Sequence, residues 1–317
     1  MAITVDKSGK ETSGIIDDDV VQPFSLDATD LRGRMIRMGS VLEQIIGQHN
    51  YPLPVSYLLS EALTVSLLLS SMLKYDGIFT LQIQSKGPIR TLVTDVNTNG
   101  HVRAYAAFDE DELKDLPPQK DNNFYHLMHS GHIAFTVDQG EHMARYQGIV
   151  ALEGESMLDA IQHYFEQSEQ IKTSIRMAIH PQDDQWRAGA VMVQYIPEHH
   201  GKEEDEMRQE ERQEDWNRTK ILLGTCRDDE LLAPHMHSAD VLYRLFHEEG
   251  VRIYPATSIK HVCRCSRDRV ENVLLSLSDD DMRDAKNDDG EIDITCEFCG
   301  KSYMFHKEDL DQLSDKK

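Results

Sequence analysis

The sequence predicts an α+β protein with an N-terminal body of mixed or antiparallel sheet and packed helices, a charged helical linker and a small C-terminal domain. Three observations support this fold class. Strand-like segments follow one another through short turns over residues 78–108, the pattern of an antiparallel meander. The composition becomes strongly acidic after Pro197. Finally, four cysteines form two short pairs between residues 263 and 299.

The domain boundaries follow from these changes in composition. The first residues are rich in Gly, Ser and Asp, which is typical of a mobile terminus. The charged segment starts after Pro197, and the cysteine-bearing tail starts after Pro255. We therefore expect a flexible extension over residues 1–24, the body over 25–197, a metastable linker over 198–257 and a cysteine-bearing domain over 258–317.

Two helices are expected near the start of the body. Residues 40–48 have helical periodicity before a stop signal at Pro52. A second, apolar helix is predicted over residues 54–74, with a proline in its first turn. Its most apolar run, residues 57–73, also contains Glu61 and several hydroxyl side chains, so we interpret it as a buried helix and not as a membrane span.

Strands with alternating apolar residues make up most of the remaining body. Turns that contain Gly or Asn separate the first three, which favours hairpin connections. The polar stretch 109–123 contains two consecutive prolines and is predicted to be a surface loop. The predicted elements are an amphipathic helix at residues 156–167 and strands at 78–84, 90–96, 101–108, 133–137, 148–152, 173–179 and 188–196.

The linker is predicted from a segment with almost no apolar face. Residues 198–218 carry many acidic side chains interleaved with a few Lys and Arg. Such a segment forms at most a solvated helix, so we expect its local stability to be low. A helix over residues 239–249 and a strand over 252–254 are predicted to follow.

The charge balance argues against several classes of partner. The 317 residues include 33 Lys plus Arg and 56 Asp plus Glu, a formal net charge of -23. Nucleic acids and anionic membranes repel such a surface, so neither is expected as a partner. No Gly-rich phosphate loop and no Gly-x-Ser-x-Gly motif is present, so nucleotide binding and serine-hydrolase activity have no support. No secretory signal is recognisable, and we expect a cytoplasmic protein whose thiols stay reduced.

The cysteines near the C-terminus predict a zinc site. Cys263 and Cys265 form one pair, and Cys296 and Cys299 form the other. Four thiolates in two short pairs are typical of a closed tetrahedral zinc site, and the second pair has the Cys-x-x-Cys-Gly pattern of a metal knuckle. We therefore expect one Zn2+ per chain, bound by these four side chains.

Two features of this segment argue for more than a structural zinc site. The first pair is Cys-x-Cys, so its two thiols are near enough to form a disulfide, though a tight one. Basic residues such as Arg264, Arg267 and Lys301 gather here in an otherwise acidic chain. A metal and neighbouring cations both favour the thiolate, which is the species that oxidants attack. A purely structural zinc module stays open as an alternative.

Other candidate residues are weaker. Cys226 stands alone and is interpreted as a buried inert thiol rather than a third redox partner. Three histidines recur every third residue over 126–132, and we interpret them as a polar loop or helix face rather than a metal site. His261 and His306 lie near the cysteines in the sequence, but four ligands are complete without them.

The cysteine segment resembles that of one protein family. The segment contains three motifs: Cys-Arg-Cys-Ser-Arg-Asp-Arg at residues 263–269, Asp-Gly-Glu-Ile-Asp at 289–293 and Cys-Glu-Phe-Cys-Gly at 296–300. These motifs closely resemble the bacterial thirty-three-kilodalton heat-shock holdase family, and matching segments such as 74–77 and 242–249 extend the resemblance over most of the chain. The N-terminal extension, the loop at 109–123 and the unusually acidic linker depart from the family.

The resemblance implies a molecular chaperone and not an enzyme: a stress-response holdase that binds unfolding client proteins without ATP. It implies that the reduced, zinc-bound protein is folded and largely inactive. Oxidants such as peroxide or hypochlorous acid would convert the thiolates into the disulfides Cys263–Cys265 and Cys296–Cys299. Loss of zinc, unfolding of the tail, exposure of apolar surface and homodimerisation would follow.

Two other classes of function stay open at this point. A constitutive zinc-ribbon module would bind nucleic acid or protein, although the acidic charge argues against nucleic acid. A thiol–disulfide oxidoreductase or a zinc-thiolate alkyl acceptor would be an enzyme. The oxidoreductase would show catalytic turnover with a dithiol substrate, whereas a switch would react stoichiometrically.

Overall fold

The structure is a computed structural model that describes residues 18–29, 31–116, 124–140, 146–165, 171–182, 185–195 and 206–314. The chain divides into two compact units, Met1–His261 and Val262–Lys317. The described part of the predicted linker thus belongs to the first unit.

The first unit contains eight helices among its described residues: α1 (Ser40–Gly47), α2 (Leu53–Ser70), α3 (Glu110–Lys114), α4 (Phe124–Met128), α5 (Met157–Tyr164), α6 (Glu206–Gly224), α7 (Asp228–Leu232) and α8 (Ser238–Phe246). Its strands are β1 (Val20–Leu26), β2 (Leu31–Met38), β3 (Ile78–Ser85), β4 (Ile89–Asn97), β5 (His101–Phe108), β6 (Gly131–Asp138), β7 (Tyr146–Ala151), β8 (Thr173–Gln182), β9 (Gln185–Tyr195), β10 (Val251–Ile253), β11 (Thr257–Ser258) and β12 (Lys260–His261). Every strand predicted for the body corresponds to one of these.

The strands form two six-stranded sheets, which we call sheet A and sheet B. Sheet A has the order β10-β1-β2-β9-β8, with β11 also paired to β1, and its pairings are antiparallel. Sheet B has the order β12-β5-β4-β3-β6-β7 and is antiparallel except for the parallel pair of β12 with β5. The predicted α+β class with a mixed or antiparallel sheet is confirmed.

Helix α2 lies between the two sheets and provides much of the main core. It packs on β3, β4 and β5 of sheet B and on β2 and β9 of sheet A. Among the described helices, α2 alone has the length and hydropathy of a membrane span, but 78% of that window is buried inside the fold. The hydroxyls of Ser60, Thr64 and Ser66 each donate to a carbonyl one turn earlier at 2.7 Å, so the helix satisfies its own polar groups. The interpretation as a buried helix is confirmed.

The N-terminal extension is shorter than predicted. Residues 20–24 belong to β1, which pairs with β2 along its whole length and with β10 and β11 on its other side. Phe24 is 1% exposed and stacks on Phe246 of α8. The prediction was wrong for these residues because composition reports only local preference. It does not reveal the pairing with β2, or with β10 and β11, which lie far away in the sequence. Residues 1–17 lie outside the described residues.

The predicted surface loop 109–123 also contains local structure. Its first part forms the short helix α3, which Asp109 caps by accepting hydrogen bonds from the N–H groups of Asp111 and Glu112. Residues 117–123 lie outside the described part of the chain.

The linker has more apolar contact than its acidic composition suggested. Helix α6 continues beyond the acidic segment, and its Trp216 and Leu223 are only 7% and 2% exposed. Together with α7 and α8 they pack on the face of sheet A opposite α2, where they meet Phe24, Val191 and other strand residues in a second apolar cluster. Trp216 is therefore the exception to the expected lack of a buried apolar face among the described side chains of the acidic segment, and Leu223 lies beyond that segment. Residues 198–205 lie outside the described residues.

Glu61 is a carboxylate within the apolar helix α2. Burial raises the pKa of Glu61 to about 7, although the backbone N–H of Leu158 donates a hydrogen bond to it. The folded protein therefore binds this proton more tightly than the unfolded chain does, and stability is lost as the pH rises from about 4.5 to about 7.

We expect Glu61→Gln to raise the free energy of unfolding by about 1–3 kcal/mol at pH 8 and by much less at pH 5. Urea unfolding at both pH values measures the effect, with the exposed Glu153→Gln as the matched control. An equal effect of Glu61→Gln at the two pH values would contradict the assignment.

The second unit is built around a small core. Its elements are α9 (Arg267–Ser276), α10 (Asp279–Asp284), β13 (Ile292–Thr295), β14 (Ser302–Phe305) and α11 (Lys307–Ser314). Strands β13 and β14 form an antiparallel hairpin. The buried apolar residues are Leu274, Ile292, Tyr303, Phe305, Leu310 and Leu313. A core of this size is marginal for a domain without a disulfide or a metal.

Candidate metal centre

Two local structures bring the cysteine pairs together. Cys263 and Cys265 lie just before α9, whose first turn is capped by the hydroxyl of Ser266. Cys296 and Cys299 lie in the turn between β13 and β14. In that turn the N–H of Gly300 donates to the carbonyl of Cys296 at 2.8 Å.

The turn requires glycine after its second cysteine. Gly300 has a φ of +66°, a left-handed conformation that glycine adopts without a steric penalty. The N–H of Cys296 also donates to the carbonyl of Lys301 at 3.0 Å, which closes the turn. The Cys-x-x-Cys-Gly pattern thus folds into the tight turn that the sequence predicted.

The four thiols converge on one point. Their sulfur atoms all lie within 4.8 Å of one another. The Sγ atoms of Cys263 and Cys296 are 3.7 Å apart, and those of Cys265 and Cys299 are 3.4 Å apart. Zn–S bonds of about 2.3 Å in a tetrahedron place the sulfurs about 3.8 Å apart, which is close to the spacing in this cluster. The four-cysteine cluster could therefore bind a metal such as zinc, and the described residues contain no second group of this kind.

The thiols differ in their tendency to ionise. Burial opposes ionisation of Cys263, but hydrogen bonds from the backbone N–H of Cys265 and from the other three thiols outweigh it, and the pKa of Cys263 falls to about 7. Burial and the hydrogen bonds that it donates to the other thiols raise the pKa of Cys299 to about 12. Burial also raises the pKa of Cys296. Cys263 therefore ionises more readily than Cys296 and Cys299, and a bound cation would favour the thiolate form of the latter two.

The basic residues near the cluster have structural partners of their own. The guanidinium of Arg267 lies 4.3 Å from the ring centroid of Phe305 and 2.8 Å from the carboxylate of Asp309. Arg269 donates to the carbonyl of Arg264 at 2.7 Å, next to the first cysteine pair. The largest causes of the thiol pKa shifts are burial and hydrogen bonds. The expectation that basic side chains favour the thiolates is therefore not supported by the causes of these pKa shifts. The two arginines instead stabilise the loops next to the cysteines.

Tyr303 is a site residue that the sequence analysis missed. Its hydroxyl donates a hydrogen bond to the Sγ of Cys265 at 3.1 Å, and this bond is the main reason that the pKa of Tyr303 rises to about 12. The ring is buried in the small core. No sequence signal indicates that its hydroxyl reaches a sulfur.

The histidines and the fifth cysteine do not join the cluster. His306 forms an ion pair with Glu291 at 2.6 Å, which raises the pKa of its imidazole. His261 belongs to β12 in the first unit. Cys226 is 2% exposed in the second apolar cluster, and burial raises its pKa to about 11, as expected for an inert buried thiol. None of the three histidines over 126–132 belongs to a metal-ligand group among the described residues.

The chain is similar to known proteins over nearly its whole length. A family model described as Hsp33 protein matches residues 19–306. The 33 kDa chaperonin of Caulobacter vibrioides is 35% identical over 301 residues, which covers 92% of this chain and 95% of that protein. The 33 kDa chaperonin of Pseudomonas fluorescens is 34% identical and covers 94% of each. The crystal structure of a 33 kDa chaperonin from Thermotoga maritima matches the fold with a TM-score of 0.77 at 23% identity, over 94% of this chain and 98% of that chain.

Proposed function

The chain belongs to the Hsp33 family, and from that premise we propose that it is a redox-regulated, ATP-independent holdase chaperone. A chaperonin family indicates a binding protein rather than an enzyme, with unfolding client proteins as its partners. The observation that carries the proposal is the convergence of four thiols in a unit with only a small core of its own. We place the protein in the cytoplasm, where such thiols stay reduced.

In the reduced state Cys263, Cys265, Cys296 and Cys299 would hold one Zn2+ per chain. Bound zinc would keep all four sulfurs as thiolates and join the segment before α9 to the β13–β14 turn. Zinc binding contributes about 10–16 kcal/mol of apparent folding free energy in small zinc-binding peptides. That is large compared with what six buried apolar residues supply to the second unit. The fold of this unit would therefore depend on the state of its thiols.

Oxidation would remove the ligands. Two thiolates lose two electrons as one S–S bond forms, and a peroxide molecule that accepts these electrons takes two protons from solvent and is reduced to two waters. Hypochlorous acid would accept the same electrons and yield chloride and water. A disulfide sulfur is a poor ligand, so two disulfides would leave the second unit without its metal and without enough core to stay folded. Disulfides can be reduced again, so the switch would be reversible.

We propose that client binding takes place on the first unit. Helices α6, α7 and α8 cover one face of sheet A with the second apolar cluster. These helices, with β10, β11 and β12, are the last part of the first unit before the cysteines. When the second unit unfolds, we expect this covering segment to lose order, because it is rich in charge and has a modest core. The uncovered apolar face of sheet A would then bind clients and support a homodimer.

The proposal is tested by following client aggregation and zinc together. We expect the reduced protein to hold one zinc and to suppress aggregation of a thermally unfolding enzyme poorly. After peroxide treatment at elevated temperature, zinc release to a chromogenic chelator and suppression of aggregation should rise together. Equal suppression by the reduced and oxidised forms would contradict a redox switch, and turnover of a dithiol substrate would favour an oxidoreductase.

We expect the disulfides to join Cys263 to Cys265 and Cys296 to Cys299. Two close sulfur contacts, at 3.7 and 3.4 Å, join the pairs crosswise, so distance in the reduced cluster does not select this pattern. Partners two and three residues apart in sequence stay close when the unit unfolds, which favours these pairs as oxidation proceeds. Peptide mapping under non-reducing conditions measures the pairing. A dominant crosswise link, or a link to Cys226, would contradict this prediction.

A further inference from the structure

Three arginine side chains of sheet A bind main-chain carbonyls of one stretch of the covering segment. We call this stretch, residues 226–236, the latch segment; it includes α7. Arg37 of β2 donates to the carbonyls of Ala233 and Met236. This guanidinium is fully buried, at 0% exposure.

The other two arginines bind the latch segment in the same way. Arg176 of β8 donates from Nε to the carbonyl of Cys226 at 3.0 Å. Arg187 of β9 donates from Nε to the carbonyl of Leu232 at 2.7 Å, and its side chain is only 9% exposed. Four main-chain carbonyls of the latch segment are thus held by three guanidinium groups.

The strand register places the three arginines on one face of sheet A. Arg37 lies opposite Gly189, and Arg176 lies opposite Val191. Arg187 precedes Gly189 by two residues and therefore points to the same side. At Gly189 the latch segment touches the sheet backbone itself, because an added Cβ would lie 2.5 Å from the carbonyl oxygen of Leu231.

We propose that Arg37, Arg176 and Arg187, grouped around Gly189, form a binding site for polypeptide main chain. The latch segment fills it in the reduced protein, and the main chain of an unfolded client fills it after oxidation. This inference rests on the proposed function and names the groups that would recognise clients.

The chemistry of the contacts fits a client of any sequence. The carbonyls that the arginines bind are present in every residue, so these contacts do not depend on the side chains of a client. Arg176 in addition pairs with the carboxylate of Asp228 in the latch segment, a contact that a client would not need to reproduce. The apolar residues of sheet A around them, such as Val191 and Val193, suit the apolar side chains that unfolded proteins expose.

The buried Arg37 would lose two carbonyl acceptors on departure of the latch segment, which is strongly destabilising and favours a replacement with carbonyls. Arg187 keeps its ion pair with Asp18, and Arg176 is partly exposed, so these two guanidinium groups stay available at a lower cost.

Gly189→Ala tests whether displacement of the latch segment opens the site. The added methyl group should push this segment off sheet A while leaving the arginines and the cysteines intact. We expect the reduced variant, with its zinc still bound, to bind reduced carboxymethylated α-lactalbumin, a permanently unfolded chain, at least tenfold more tightly than the reduced wild type. Gly224→Ala is the matched control, because no atom lies within 4 Å of its added Cβ. Unchanged affinity in a folded Gly189→Ala protein would overturn the inference.

Arg176→Met and Arg187→Lys test whether the guanidinium groups contact the client. In the oxidised protein each is expected to weaken binding of the same unfolded chain about tenfold, since a hydrogen bond from a charged donor is lost or distorted. Arg90→Met, on sheet B, is the matched control for loss of one cation. Should Arg187→Lys fail to fold by circular dichroism, the partly exposed Arg176 decides the question.

Arginines that act only as a latch would give the opposite result. In that case Arg176→Met and Arg187→Lys would bind clients more strongly than the wild type when reduced and with unchanged affinity when oxidised. That result would overturn the inference. Failure of the proposed function can be distinguished from failure of this inference, because the oxidised wild-type protein would then not bind the unfolded chain at all.

Discussion

Replacement of Cys296 and Cys299 by serine is expected to yield a protein that binds no zinc and holds clients without any oxidant. Two of the four proposed ligands are lost. With them goes most of the folding free energy that zinc contributes to such folds, which is about 10–16 kcal/mol. The remaining core of the second unit is too small to compensate. The zinc content measured by metal analysis should fall from one per chain to almost none. The variant should suppress aggregation of an unfolding enzyme at least partly under reducing conditions.

Cys226→Ala is the matched control for this double replacement. Its thiol is buried in the second apolar cluster and lies outside the four-cysteine group. The control should keep its zinc, stay inactive when reduced and become active on oxidation. X-ray absorption of the wild type should show four sulfur neighbours at about 2.3 Å. A histidine neighbour, or a double variant that keeps its metal, would contradict the ligand assignment.

Oxidation is expected to change the fluorescence of Trp216 and to leave that of Trp186 nearly unchanged. These are the two tryptophans of the chain. Trp216 of α6 is buried in the second apolar cluster, where the covering segment meets sheet A. Trp186 of β9 packs against the main core, with its ring 5.0 Å from that of Tyr57. Loss of order in the covering segment would therefore expose only the first of them.

Single-tryptophan variants separate the two signals. In Trp186→Phe, which keeps Trp216, emission should move to longer wavelength on oxidation, and quenching by iodide should rise several-fold. In Trp216→Phe, which keeps Trp186, the emission wavelength and the iodide quenching should both stay close to the values of the reduced protein. Zinc loss without a change at Trp216 would show that the covering segment stays in place, and the client site would then have to come from the second unit.

The sequence was sufficient for the cysteine cluster and for most of the body. The spacing of the cysteine pairs indicates their convergence because each pair sits in a short local structure, and strands such as β3, β4 and β5 are joined by local turns. The family resemblance, which rested on these cysteine motifs, is confirmed. Features that depend on neighbours in sequence were therefore predictable.

The errors concern contacts between distant segments. Composition predicts a flexible segment at residues 20–24 of β1, because it does not register the pairing of this strand with β2 or with the distant strands β10 and β11. The burial of Trp216 in α6 was not predicted, because a single apolar residue among acidic ones produces no periodic signal. The binding of the latch segment by Arg37 could not be foreseen, since its acceptors are main-chain carbonyls that leave no pattern in the sequence. Tyr303 was missed for a similar reason, because a hydroxyl that reaches a sulfur looks like an ordinary core residue.

The pairing of β1 with strands near the end of the first unit has a consequence for biosynthesis. The side chains of Ser25 and Tyr254, which hydrogen-bond beside this pairing, are 229 residues apart in the sequence. A ribosome-bound chain that has emerged only as far as β9 can form β2 and β9 but has neither α6–α8 nor β10 to place on sheet A. Each newly made molecule therefore passes through a stage in which this face is bare, as in the oxidised form proposed above. The nascent chain would need the same protection from aggregation that the finished protein is proposed to give to others.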